Sequence, residues 1–552
     1  MSGQVAELIL RLGSHEKAVD SRLNSWQSEQ VGRRIWEKDH TVWAADPIPE
    51  LTDRLGWLWL PSGSREAAGA MEALSQEVKR DGFRHVVLLG MGGSSLAPEV
   101  FAGVFGNAPG HPELLVLDTT HPDAVRGIEH TIDPLRTLFL VSSKSGTTLE
   151  TLSLFRACWD RVAAVTQEVG SHFVAITDAG SPLEGLAERR KFRQVFNAPG
   201  DVGGRYSALS AFGLVPAALI GADVRKILVS AGIMAETCSG SVDPAVNPGL
   251  ILGAVLGELA LAGVDKITFI TSPELAPFPA WIEQLVAEST GKNGKGILPV
   301  ESEPGLPYDS YSPDRFFVLM GLRDSGMDDL PVSADQLEQA GHPVAEIRLA
   351  DKTDLGQEMF RWQIAVAAAG AILGINPFDQ PDVQLAKDLA RRAMEEPGSG
   401  SAGTSDNTTV TAQSPQLGQQ LGSWAQAEPG DYMAIQAYLA PSIETTAALQ
   451  EIRRMLGIQQ GAATTLGYGP RFLHSTGQLH KGGPSTGRFL QIVDDPESDV
   501  PVPETDYTFG KLIRAQALGD YGALMQRNRQ VLRIDLRDDV VGGLERLVDL
   551  LR

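Results

Sequence analysis

Four short runs, apolar up to their last residue, set the terms for the first half of this chain. They are VVLLG (86–90), LLVLD (114–118), LFLVS (138–142) and FVAIT (173–177), each separated from the next by a stretch of helical periodicity. Strands that are apolar on both sides belong in a parallel sheet with helices covering both faces. In such open sheets ligands bind beyond the C-terminal ends of the strands. Two loops stand at such ends and are built for it. One is Gly90-Met91-Gly92-Gly93-Ser94-Ser95. It departs from the dinucleotide fingerprint at Ser94 and has only Asp118 as an acid at a second strand end, so it makes a weak case for a nicotinamide cofactor. The other is Ser142-Ser143-Lys144-Ser145-Gly146-Thr147-Thr148, between a strand and the helix that starts at Leu149. Five hydroxyls, a lysine and a glycine ahead of a helix N-terminus are more than one helix cap requires. They predict a phosphate cradle.

The chain's 552 residues allow two or three domains, and 47 basic against 69 acidic residues give a net charge of −22. That balance speaks against nucleic acid or an anionic membrane as the main partner, so phosphate has to be met by local donors. Cys158 and Cys238 cannot build a disulfide framework. The opening residues carry charge within an amphipathic helical pattern, unlike a secretory signal, and no apolar run is long enough to span a bilayer. The expectation is a soluble, cytoplasmic protein.

In order, residues 1–80 read as a helical segment anchored by Trp26, Ile35, Trp36 and Trp43. Residues 81–245 form a first α/β unit, and 246–395 a second, with strands at 266–271, 315–321 and 344–349. Residues 396–428 are poor in apolar side chains and rich in Gly, Ser, Thr and Gln. They read as a mobile linker. Residues 429–552 are an α/β extension expected to pack on the second unit. Within 246–395, Trp281, Gln284 and Glu288 fall on one helix face, and Gly291 ends the helix, leaving Glu288 in its last turn. The helix dipole opposes a carboxylate there, and local rules are most often broken at functional sites. Gly203-Gly204-Arg205 holds an arginine between a turn and a helix. A later helix, 383–392, can align Gln380, Gln384 and Lys387. His474 and His480 lie among glycines in the 467–492 segment, without the further ligands a zinc site needs.

Five of these motifs occur in an order that resembles the glucose-6-phosphate isomerase family. They are Gly90-Met91-Gly92-Gly93-Ser94, Ser143 to Thr151, Gly203 to Ser207, Glu288-Ser289-Thr290-Gly291-Lys292 and Asn376 to Pro381. The segments VGRRIWEKDHTVW and GYGPRFLHSTGQLHKGGP resemble the isomerase half of bifunctional transaldolase/glucose-6-phosphate isomerases. The resemblance implies two sugar-isomerase (SIS) subdomains, three-layer sandwiches with parallel sheets flanked by helices. It also implies interconversion of glucose 6-phosphate and fructose 6-phosphate without metal or organic cofactor. It suggests a homodimer and a functional link to transaldolase.

Carried over by position, Ser143, Lys144, Ser145, Thr147 and Thr148 hold the phosphate, while Gly93 and Ser94 meet the sugar. Glu288 is the base, Arg205 the cation on the enediolate and Lys387 the ring-opening lysine. Gln284 and Gln380 line the site. The family's phosphate loop usually has an aromatic residue where Gly146 stands, and Gln384 replaces a common glutamate. The helix expected to bring the ring-opening histidine reads Gly356-Gln357-Glu358-Met359-Phe360. His342 is the only histidine between the base and Lys387, so the role is assigned to His480 in the C-terminal extension. A non-catalytic sugar-phosphate sensor would need the cradle but not Glu288, Arg205 and Lys387. An isomerase with added mannose 6-phosphate activity remains an alternative.

Overall fold

The computed structural model describes residues 4–323, 327, 330–395, 409–496 and 498–552. Fifteen strands among them form three five-stranded sheets. In chain order, β1 (Glu7–Arg11) precedes the N-terminal helices, and β2 (His85–Leu89), β3 (Glu113–Leu117), β4 (Thr137–Ser142), β5 (Phe173–Asp178) and β6 (Gln194–Ala198) follow them. Next come β7 (Lys266–Thr271), β8 (Leu298–Val300), β9 (Arg315–Leu322) and β10 (Val344–Leu349). The third group is β11 (Thr409–Thr411), β12 (Tyr432–Tyr438), β13 (Ala463–Tyr468), β14 (Gly487–Val493) and β15 (Gln530–Asp535).

The first sheet is parallel throughout, in the order β3-β2-β4-β5-β6. Its apolar strands divide their side chains cleanly between two cores. Val86, Leu88, Leu138 and Leu140 join the large core under the N-terminal helices. Val87, Leu89, Phe139 and Val141 face the helix Leu149–Ala163 in a second core. This is the two-sided burial that the lack of alternation in the sequence predicts.

The second sheet runs β1-β10-β9-β7-β8. Its first strand corrects the expectation that residues 1–80 are helical. Glu7–Arg11 pairs antiparallel with β10 at the sheet edge, and Leu8 and Leu10 pack on the core. Five residues are too few for helical periodicity to decide, and tertiary pairing overrides local preference. The rest of the segment is helical at Glu16–Glu29, Val31–Trp36 and Leu60–Arg80. Trp43 is anchored by its indole N–H, which donates to Ala367 O at 2.7 Å. The helix Leu355–Leu373 runs almost entirely buried through this core.

The third sheet is again parallel, in the order β11-β15-β14-β12-β13. Part of the expected linker belongs to it. Residues 396–408 lie outside the described residues, but 409–428 contain β11 and the helix Leu417–Trp424. Low average apolarity hid three well-placed anchors: Leu417, Leu421 and Trp424 share one helix face and are all buried. The third sheet meets the second unit through Leu298, Val300, Tyr432, Ala434, Ala463 and Phe489. It also touches the first unit, where Val502 and Phe509 join the core behind the 149–163 helix. No helix among the described residues is long and apolar enough to cross a membrane.

Candidate active site

The loop after β4 is closed on itself by its own hydroxyls. Ser143 Oγ and Thr148 Oγ1 are 2.9 Å apart, as are Ser145 Oγ and Thr147 Oγ1. Gly146 turns the chain at φ +68°, where a Cβ would stand 2.7 Å from Leu183 N, so neither the backbone nor the space allows a side chain. Thr148 occupies the N-cap of the 149–163 helix, yet its side chain makes no capping bond. Its hydroxyl is turned to Ser143 and does not cap the first N–H groups of the helix. This is the donor arrangement a phosphate needs. Lys144 stands apart from it: the ammonium pairs with Asp178 and donates to Gly200 O at 3.2 Å.

A second group lies deeper. The helix Phe278–Thr290 buries Trp281, Gln284 and Glu288 on one face. Glu288 Oε2 accepts from Gln284 Nε2 at 3.0 Å, and Oε1 lies 3.2 Å from Arg205 Nη1. These two donors offset the unfavourable helix dipole. Arg205 is 2% exposed, and all its nitrogens are engaged. Nε donates to Ser289 Oγ (2.7 Å), Nη1 also to Gln380 Oε1 (3.3 Å), and Nη2 to Pro377 O (2.8 Å) and Asp379 O (3.0 Å). Close by, Lys292 Nζ donates to Asn376 O at 2.5 Å and Asp379 Oδ1 at 2.7 Å. Burial, and then the charge of Arg205, push this lysine down to about 7. The glycine-rich loop after β2 packs against this group. A Cβ on Gly93 would lie 2.1 Å from Gly204 O, and one on Gly92 2.7 Å from His474 O. Gly93 thus permits close loop packing, beside the buried Ser94.

The third unit closes the site. After β13 a turn, Arg471–His474, leads into a short helix, Gly477–Gly482. Arg471 is held by Glu99 and by Asp118 Oδ2 (3.1 Å). The backbone of His474 accepts from Gln284 Nε2 at 2.9 Å, and its imidazole Nε2 is 3.1 Å from Glu150 Oε1. Gln516 Nε2 donates to the same Glu150 oxygen at 2.7 Å and is itself held by Thr120 Oγ1 at 2.7 Å. Burial alone pushes Glu150 up, but the charge and hydrogen bond of His474, with a smaller part from Lys387, outweigh it and leave the carboxyl low. Ser145, Thr147, Thr148, Lys387 and His474 all line one cavity of about 790 Å³. Arg205, Gln284, Glu288 and Gln380 are not on its wall. His474 links the two groups, standing on the cavity wall with its backbone carbonyl bonded to Gln284.

His480 corrects the expectation. Its ring sits among Phe489, Phe472 and Tyr432, at centroid distances of 5.0, 6.0 and 6.2 Å, with Nδ1 3.3 Å from Gln436 Nε2. Burial pushes its imidazole well below 6.5. It is a core residue of the third unit and does not reach the cavity. The six-residue spacing crosses from a half-buried turn into a buried helix, so one histidine faces the cleft and the other the sheet. His342, the other histidine considered, is buried against Phe317 and Tyr311. Glu150 and Lys292 both lie inside motifs quoted above and carry no separate signal there. Gln516 stands in a helix that gives none. Among the described residues no group of three or more His, Cys, Asp or Glu is disposed to hold a metal ion.

The model of the phosphoglucose isomerase family matches residues 73–298. The glucose-6-phosphate isomerase of Rubrobacter xylanophilus is 30% identical over 433 residues, covering 69% of this chain and 96% of that enzyme. That of Parabacteroides distasonis is 28% identical over 400 residues, covering 63% and 88%. Among solved structures, a hypothetical protein of Thermus thermophilus superposes with a TM-score of 0.60 at 25% identity, over 70% of this chain and all of that one. A glucose-6-phosphate isomerase from Chlamydia trachomatis shares the fold, with a TM-score of 0.56 at 20% identity over 69% and 86%. The link to bifunctional transaldolase enzymes has no counterpart in these matches. A relative at this identity, matched along nearly its whole length, fixes the kinship: the chain belongs to the glucose-6-phosphate isomerase family.

Proposed function

We propose that this chain interconverts glucose 6-phosphate and fructose 6-phosphate, with the residues below in the stated roles. The observation that carries the assignment of roles is the buried Glu288 carboxylate, fixed between Gln284 Nε2 and Arg205 Nη1 at 3.0 and 3.2 Å.

The substrate's phosphate rests on Ser143, Ser145, Thr147, Thr148 and the first N–H groups of the 149–163 helix, and Ser94 meets the sugar. The ring-opening role passes from His480 to His474. An imidazole held by a buried carboxylate can take the proton of the anomeric hydroxyl and return one to the ring oxygen, with Lys387 across the same cavity. In the open chain Glu288 takes the proton from C2 of the aldose and delivers it to C1, while a proton passes from the C2 hydroxyl to O1, giving the ketose. Arg205 holds the negative charge of the enediolate between the two steps, and Gln284 and Gln380 keep base and cation in place. Phosphate binding away from the reacting carbons orients them and adds nothing to the proton transfer itself. The setting we propose is the cytoplasm, with a homodimer and a functional link to a transaldolase supported by the motif resemblance only.

The test is a coupled assay from fructose 6-phosphate to glucose 6-phosphate, run in deuterium oxide so that label entering C2 of the sugar reports the proton transfer. Turnover with label at C2 supports the roles given. Tight binding of fructose 6-phosphate without turnover would instead make the chain a sensor.

A further inference from the structure

We infer that Lys292 is a positioning residue for this reaction, tying the 376–382 segment to the end of the helix that carries Glu288 and so setting Arg205 against that carboxylate. The inference rests on the isomerase reading above.

Lys292 is 2% exposed and lies four residues beyond Glu288. It is not on the wall of the cavity. Its ammonium reaches Asn376 O at 2.5 Å and Asp379 Oδ1 at 2.7 Å. The same stretch supplies the carbonyls of Pro377 and Asp379 to Arg205 Nη2, and Gln380 to Nη1. Buried Lys292 and Arg205 therefore grip one segment, and the position of the guanidinium follows from where the lysine holds the chain. The third unit repeats the connection. Gln478, fully buried, accepts from Asp382 N–H at 2.9 Å and donates to Asp382 Oδ2 (2.8 Å) and Gly291 O (2.9 Å). The end of the base's helix is thus tied to this segment twice, by Lys292 and through Gln478. A buried ammonium beside a guanidinium is a costly way to fill space, and an apolar residue would do that better. What the charge supplies is two directed bonds to the segment that holds Arg205.

The experiment compares wild type, K292M, K292R and Q478L in the full chain, measuring kcat and KM for fructose 6-phosphate and the competitive inhibition constant of inorganic phosphate. In K292M we expect kcat to fall about 10- to 100-fold, since a misplacement of the order of an ångström can cost that much. KM and the phosphate constant should stay within about twofold, because the cradle touches neither Lys292 nor its partners. K292R should recover part of the loss. Folded K292M with wild-type kcat overturns the inference, as does a loss in which the phosphate constant moves with kcat. Should K292M fail to fold, Q478L decides in its place: the same fall in kcat at constant phosphate affinity supports the inference, and full activity overturns it. A wild-type chain that binds phosphate but isomerises nothing overturns the isomerase reading and this inference together. An active wild type with unaffected variants overturns the inference alone.

Discussion

The two halves of the site are made of different materials. The cradle at 143–149 is neutral and half open, with Ser145 and Thr147 exposed and their hydroxyls bonded to each other. The group around Glu288 is charged and dry: Glu288 is 7% and Arg205 2% exposed, and every nitrogen of the guanidinium has a partner. A ligand arriving from water can displace a hydroxyl pair at little cost, because each net hydrogen bond is worth only about 0.5–1.5 kcal/mol. Proton transfer asks for the opposite, groups already held in place so that nothing has to reorganise as charge develops. Binding and chemistry should therefore separate under mutation. The largest expected effect is on the dry side. Glu288→Gln keeps the shape and much of the hydrogen bonding but cannot accept a proton, and loss of a general base costs roughly 10²–10⁴ in rate. We expect kcat to fall by that much while calorimetry still records fructose 6-phosphate binding. Near-normal turnover in this variant would break the comparison at its root.

His474 stands between the two halves, and His480 gives the control. His474→Ala should slow turnover of the cyclic sugar by about 10²-fold, in the range of one lost acid–base group. His480→Ala should leave kcat within a few-fold and lower the melting temperature instead, since it removes a ring packed against Phe489 and Phe472. Stopped-flow turnover alongside thermal melts separates the two. An active His474→Ala would hand ring opening to Lys387 or to water. Next in size is the cradle itself. Ser145→Ala combined with Thr148→Ala removes hydroxyls that face a dianion, each worth about 1.5–3 kcal/mol as a bond to a charged group. KM should rise at least 10-fold at nearly constant kcat. A fall in kcat with unchanged KM would mean that the halves are not separate in function.

How far these roles were legible in the sequence follows the same division. The first sheet and the cradle were plain, because wholly apolar strands and a run of hydroxyls before Leu149 are local signals with one physical meaning each. Glu288 was legible because it breaks the dipole rule in its own helix. The rest depends on contacts between distant segments. Glu7–Arg11 becomes a strand only because β10 lies beside it, 333 or more residues later in the chain. β11 and the helix at 417–424 were masked by the polar stretch around them. His474 and His480 share glycine-rich surroundings, and nothing in their spacing tells which one leaves the turn toward Glu150. Gln516 and Gln478 give no signal, since a buried amide acquires its role from the partners that the fold brings to it.

Lys144 should have the smallest effect, although a lysine in a phosphate loop invites the opposite expectation. Its ammonium is already paired with Asp178 at the end of β5 and donates to Gly200 O, and it does not line the cavity. Both side chains are about one-fifth exposed, at 22% and 23%. Ion pairs this close to water contribute about 0–1 kcal/mol. To hold a phosphate the ammonium would have to leave Asp178 and Gly200, so the gain at the ligand is set against the pair it abandons. Its backbone does more than its charge: Lys144 O accepts from Asp178 N–H at 3.2 Å, which fixes the loop to β5 whatever side chain the position carries. Lys144→Met should therefore raise KM by no more than about fivefold, the equivalent of 1 kcal/mol, and leave kcat unchanged. Raising the salt concentration should narrow even that difference, because the pair is partly screened. A rise in KM as large as that of the double hydroxyl variant would show that the ammonium swings from Asp178 onto the phosphate when the ligand binds. The cradle would then be a charged site in use, and the contrast with the Glu288 side would hold only for the empty protein.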